Sequence, residues 1–253
     1  ASDIITNQYH KKFLHQLVSS QLDVDILEYL TRDSYFTGVH EGVIGYDRLI
    51  EMMDVENDDL VIEQKGIYSV EKFIIARRVM YWQVYLHKTV ICAEQMLIKT
   101  LKRAKYLAQS GVELFATPAL QYFLYHDVEL QHFYDDQEII HRYSNLDDID
   151  IYASLKQWQY SSDTVLSFLS AALINRELFK IELENEPFSA AAINKIREKV
   201  RKKYKVQDEF DLQYYVLNDV TTNSAYNLEA NNINIKFRSG KIVDVTNASD
   251  HRN

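Results

Sequence analysis

The stretch Asp23-Val24-Asp25-Ile26-Leu27-Glu28-Tyr29-Leu30-Thr31-Arg32-Asp33-Ser34-Tyr35 has the spacing of a two-faced helix. With Asp25 at zero and about 100° per residue, Glu28, Tyr29, Arg32 and Asp33 share one broad face, and Leu27 and Leu30 lie opposite. The polar face gathers two aspartates, a glutamate, a tyrosine and an arginine within about 12 Å along the axis. A face of this kind can hold a divalent cation and orient a phosphate ester. It can equally be solvated and braced by pairs such as Glu28 with Arg32, and spacing alone does not make a metal site.

Upstream, Tyr9, Phe13, Leu14, Leu17 and Val18 predict an amphipathic helix from about Asn7 to Gln21, which starts as though the chain were cut from a longer one. Downstream, Gly38, Gly42 and Gly45 suit a loop that needs a permissive backbone, with a short helix expected over Tyr46 to Met53. Leu60-Val61-Ile62 reads as a short strand paired near Val55. From Ser69 no Gly or Pro interrupts the pattern until Ser110-Gly111, predicting one helix of about forty residues. Further helices are expected at Pro118 to Leu124, Asp147 to Tyr160 and Asp163 to Arg176.

From Glu177 the texture changes. Leu178 to Leu183 alternates, Pro187 opens a helix running to about Tyr204, and strand-like runs follow at Tyr214 to Val220, Asn232 to Phe237 and Ile242 to Val245. The expectation is a mainly α protein in two parts, a helical region over residues 1–176 and a small α+β lobe over 177–253. Only six Gly and two Pro in 253 residues agree with long helices.

Composition narrows the function classes. A formal net charge of -9 argues against a general nucleic-acid coat but leaves room for a local basic pocket for one small polyanion. No apolar run approaches the roughly 18 residues of a membrane span, and the lone Cys92 reads as a small core residue rather than a nucleophile. A cytoplasmic protein away from membranes is expected.

Within the expected long helix, Arg77, Tyr81, Tyr85 and Lys88 follow a 4-4-3 spacing that joins two cations to two aromatic rings on one face. That mixture suits a phosphorylated ring compound, with the guanidinium on phosphate and a ring stacking. The plainer reading makes Tyr81 and Tyr85 core aromatics and pairs Arg77 with a helix carboxylate.

The string from Ser20 to Gly38 resembles the signature helix of HD-domain deoxynucleotide triphosphohydrolases and their bacterial relatives, D-x-D-K/R-x-D-Y-x-x-R-D. A second stretch, Ala76-Arg77-Arg78-Val79-Met80-Tyr81-Trp82-Gln83-Val84-Tyr85-Leu86-His87-Lys88, is similar to the long helix that closes the nucleotide pocket in that family. The resemblance implies the C-terminal portion of an HD-domain-like helical bundle. It makes Asp25 the last ligand of a divalent metal (Mn, Mg, Fe or Zn), otherwise held by a His and a His-Asp doublet. It also implies that Tyr29 and Asp33 line the sugar and phosphates, that Arg77 meets a triphosphate, and that Tyr85 lies near the base or sugar.

Two positions depart from the pattern. Ile26 stands where the family carries Lys or Arg, and the histidines before Asp25 are His10 and His15, with no doublet. His126-Asp127 forms a doublet about a hundred positions downstream and reads as a surface pair. The chain is therefore expected to lack its N-terminal metal-binding segment and to be inactive alone. The resemblance implies a metal-dependent phosphohydrolase of (deoxy)nucleotides that self-associates, or a catalytically inactive binding or oligomerisation module of the same fold. A helical scaffold using its 18 Tyr in subunit contacts is a third reading.

Overall fold

The computed structural model describes residues 1–221 and 232–248. Helices dominate. In chain order they are α1 (Ser2–Ile5), α2 (Lys12–Val18), α3 (Val24–Thr37) and α4 (Tyr46–Glu51), then strands β1 (Met53–Glu56) and β2 (Asp59–Glu63) and helix α5 (Ile67–Met80). Next come α6 (Lys88–Gln109), α7 (Pro118–Tyr125), α8 (Leu130–Asp135), α9 (Gln137–Ser144), α10 (Asp148–Trp158), α11 (Thr164–Ile174), α12 (Ala190–Tyr204) and α13 (Glu209–Leu212). Strands β3 (Asn234–Lys236) and β4 (Ile242–Asp244) and helix α14 (Val245–Ala248) complete the described chain.

Two compact units result, Ala1–His87 with Thr221–Asn253, and Lys88–Val220. The division expected at residue 176 is not the one that packing produces. The physical reason is β3, which pairs in parallel with β2 (Ile62 opposite Ile235), while β4 pairs antiparallel with β3. The fold is mainly α with a small α+β part, as expected, and the C-terminal strands build that part by extending the β1–β2 hairpin into one four-stranded sheet. That hairpin turns on Asn57 and Asp58, both with positive φ, a two-residue connection that Asn and Asp tolerate.

In the first unit α3 buries Ile26, Leu27, Leu30 and Ser34. Asp23 caps it by accepting from the Ile26 amide at 2.8 Å and the Ser20 amide at 3.1 Å, and Gly38 ends it at φ 71°. Helix α5 turns Val70, Phe73, Ala76 and Met80 into the same core, joined by Leu49, Ile62 and Ile235. The helix expected over 7–21 forms only over α2, because Asn7 takes a left-handed conformation at φ 56° and separates it from α1. The buried Gln16 carboxamide then ties α2 to β2, donating to Asp59 at 3.0 Å and accepting from the Leu60 amide at 2.7 Å.

The expected forty-residue helix is also interrupted. After α5 the ladder widens to a π-helical turn over Tyr81–Tyr85, in which the Leu86 amide reaches the Tyr81 carbonyl at 2.7 Å, and α6 starts afresh at Lys88. No Gly or Pro marks this break in the sequence.

The second unit is helical. Trp158 is 2% exposed and donates from its indole to the Phe115 carbonyl at 2.8 Å. Cys92 is buried as expected, and burial raises its thiol while the thiol bonds the Phe179 carbonyl at 3.2 Å. The strands expected at Leu178 to Leu183 and Tyr214 to Val220 do not form. Their aromatic residues pack instead, with Phe168 lying against Phe179 and Tyr215. After Tyr125 the chain forms two further helices, α8 and α9. The buried Arg103 guanidinium forks onto Asp163 at 3.1 and 2.6 Å and reaches Asp211 at 2.8 Å, with the Tyr214 ring centroid 5.2 Å away. Burial works against charge on Asp163, but Arg103 and the Leu166 amide hold its carboxyl below the usual range.

Two stability predictions follow from these contacts. Asp23→Ala removes the α3 cap and lowers stability by about 1–2 kcal/mol in urea denaturation, with Asp23→Asn recovering most of it. Arg103→Met strands two carboxylates and costs about 3–5 kcal/mol in the same measurement, and adding Asp163→Leu restores a large part.

Candidate functional site

The buried faces of α3 and α5 share one core, so the opposite edge of α3 and the end of α5 present their remaining side chains together. Tyr85, at the close of the π turn, donates its hydroxyl to Asp33 Oδ2 at 2.8 Å. Arg32 Nε donates to Asp33 Oδ1 at 3.2 Å, and Arg32 Nη2 lies 3.4 Å from Glu28. The Tyr29 and Tyr85 rings meet edge to face at 5.8 Å, those of Tyr81 and Tyr85 at 5.2 Å, and the Tyr29 phenol is hydrogen-bonded to Tyr81. Arg77 completes the cluster with its Cζ 5.9 Å from the Tyr81 centroid.

Charge is unevenly satisfied across this cluster. Both oxygens of Asp33 have donors, whereas Arg77 Nε is buried without a hydrogen-bond partner among the described residues. An unpaired buried guanidinium nitrogen carries a desolvation cost that an anion would relieve. Burial raises the Tyr29 phenol, helped by its bond to Tyr81, and burial raises the Tyr85 phenol, helped by its bond to Asp33. Both remain neutral donors through physiological pH. An arginine with one buried unpartnered nitrogen beside three aromatic rings, with an aspartate able to accept a hydroxyl, has the chemistry to bind a phosphorylated ring compound.

Of the residues predicted from sequence, Tyr29, Asp33, Arg77 and Tyr85 come together here. Asp25 lies one turn before Tyr29 with an exposed side chain, outside the hydrogen-bonded network. Among the described residues no three His, Cys, Asp or Glu converge on a common point. Among the described residues no set is therefore able to hold a divalent metal by itself, since a site needs several convergent ligands. Ile26 is 8% exposed and belongs to the core, so the position cannot serve a surface anion. His126 and Asp127 are exposed, and Asp127 pairs with Lys105 at 3.0 Å.

Sequence spacing did not show that Tyr81 bridges Arg77 to Tyr29. Its helical face was legible, but the partner comes from α3 and is brought by packing. Lys88, expected on that same face, opens α6 in the other unit, because the π turn and the break at His87 end the shared periodicity.

The raised phenols give a pH prediction. A free tyrosine titrates near pH 10. With folded-state values above that, the stability they carry is fully present below about pH 10 and is lost as pH rises beyond it. Denaturation series from pH 8 to 11.5 are expected to show a falling midpoint above about pH 10, and a shallower fall in Tyr85→Phe.

Comparison with known proteins gives consistent likenesses. Residues 44–116 match the model of the HD associated region. A phosphohydrolase from Bacteroides thetaiotaomicron VPI-5482 superposes with a TM-score of 0.93 at 46% identity, over 99% of this chain and 62% of that one. An uncharacterized protein, YwfO of Bacillus subtilis, is 34% identical over 191 residues, 75% of this chain and 42% of that protein. A homolog of the deoxynucleoside triphosphate triphosphohydrolase SAMHD1 from Dictyostelium discoideum is 29% identical over 109 residues, 41% of this chain and 21% of that protein. The chain thus spans less than two thirds of each of these three relatives. At family level the likenesses are to HD-domain proteins, with residues 44–116 corresponding to their associated region.

Proposed function

We propose that the chain is part of an HD-superfamily phosphohydrolase that acts on (deoxy)nucleotides with a divalent metal, and that it supplies the nucleotide-contacting surface. The observation carrying this reading is the cluster of Tyr29, Asp33, Tyr81 and Tyr85 around a buried Arg77 nitrogen with no partner among the described residues. Its support from outside the geometry is the likeness to a phosphohydrolase and to a triphosphohydrolase homolog.

In this reading Arg77 neutralises phosphate charge, and Tyr29 and Tyr85 border the sugar or base. Asp33 accepts a substrate hydroxyl in exchange for the Tyr85 bond. Asp25 is one metal ligand, and the others come from outside the described residues, so no catalytic step is derived from this chain alone. A rival reading, an inactive binding or assembly module of the same fold, is favoured by the absence of a converging ligand set among the described residues and by the buried Ile26.

The test is phosphate release from a panel of nucleotides with manganese, by the chain alone and together with a separately supplied HD segment. Activity is expected in the combined sample. There Arg77→Met should lower kcat/KM by about 30- to 100-fold, the loss of a charged hydrogen bond worth about 2–3 kcal/mol. Full activity in Arg77→Met would sink the assignment of the pocket, and inactivity of both samples would favour the module reading.

A further inference from the structure

Helix α12 stands apart electrostatically. From Ala190 to Lys205 it carries Lys195, Arg197, Lys199, Arg201, Lys202, Lys203 and Lys205 against the single acid Glu198, a net of +6 in a chain whose formal net charge is -9. The two arginines are engaged with acids, since Glu209 pairs with both and Glu198 lies 3.8 Å from Arg201. Lys203 sits over the Tyr204 ring at 4.9 Å. Lys195, Lys199 and Lys202 are exposed, with Lys199 near enough to Glu182 to help Lys180 hold that carboxyl below the usual range.

These three lysines follow a 4-3 spacing and so form one row about 10 Å long on the helix. The opposite face is apolar (Ile193, Val200, Tyr204) and is turned inward, with Tyr204 packed on Phe168 at 5.1 Å and on Tyr215 at 5.4 Å. We propose that the exposed face of α12 is a docking surface for the phosphate backbone of a nucleic-acid duplex, bound without sequence preference.

Three arguments select this partner. A row of cations on a convex helix cannot enclose a small ligand, which requires a concave site, whereas a duplex offers roughly one phosphate charge per 1.7 Å of its length. An anionic membrane would draw in a helix lying flat with its apolar face outward, and here that face is packed on Phe168 and Tyr215. Lysines are point charges without the bidentate fork that reads bases, so contacts to the backbone carry no sequence information. The acidity of the rest of the chain confines such contacts to this element.

Fluorescence anisotropy of a labelled random-sequence duplex of about 30 base pairs, titrated with the full chain across a salt series, tests the proposal. Binding is expected at low salt. Lys195→Glu, Lys199→Glu and Lys202→Glu together should weaken it at least tenfold, and the neutral Lys→Gln set at the same positions should flatten the plot of log K against log salt by about 3. Lys11→Glu, Lys65→Glu and Lys241→Glu, which change net charge equally at exposed positions elsewhere, should leave the slope of the unmodified chain. Circular dichroism melts confirm that each variant folds. Absent duplex binding, an equal loss in the control set, or sedimentation with phosphatidylserine vesicles but no duplex binding would each overturn the proposal.

Discussion

The packing of α3 against α5 is the constraint on which the candidate site depends. Both helices commit four residues to one buried face, Ile26, Leu27, Leu30 and Ser34 from the first and Val70, Phe73, Ala76 and Met80 from the second. With those faces interlocked, the rotation of each helix about its axis is set, because turning either would expose apolar surface at about 25 cal/mol per Å². Tyr29 and Asp33 then have one place to point, and so does Arg77. The Asp23 cap at one end of α3 and the left-handed Gly38 at the other hold its register.

The π turn solves a local problem of reach. A residue inserted into the helical ladder after Met80 shifts Tyr81 and Tyr85 relative to a regular helix, and the Tyr85 hydroxyl meets the Asp33 carboxylate. Such insertions store modest strain and recur at functional positions. The network they complete is lopsided: both oxygens of Asp33 have donors, while Arg77 Nε has no partner among the described residues. Arg103 offers a contrast, whereas the Nε atoms of Arg142 and Arg201 are, like that of Arg77, buried without a partner among the described residues. Arg103 is also buried, yet each arm of its guanidinium has a carboxylate partner and it serves structure.

Charge is likewise partitioned by the fold. The chain is acidic on average, but the average hides α12, where lysines gather on the face that packing leaves free. An overall charge excludes partners only when the charge is evenly spread, and here one helix departs from the mean by a wide margin.

Much of this was legible in the residues. The two faces of α3, a helix starting near Ser69, the acidic starts at Asp147 and Asp163 and the β1–β2 hairpin follow from periodicity and turn chemistry, which are local properties of the chain. The joint membership of Tyr29, Asp33, Arg77 and Tyr85 in one cluster was suggested by likeness to a family motif. Three features needed the tertiary structure. The helix break at Tyr81–Tyr85 has no Gly or Pro to announce it, β3 finds β2 across more than half the chain, and Tyr81 meets Tyr29 only because two distant helices share a core. Sequence by itself determined which residues lie on the same face of an element. Which faces meet was decided by the burial of apolar surface contributed from segments far apart in the chain, a quantity no local window contains.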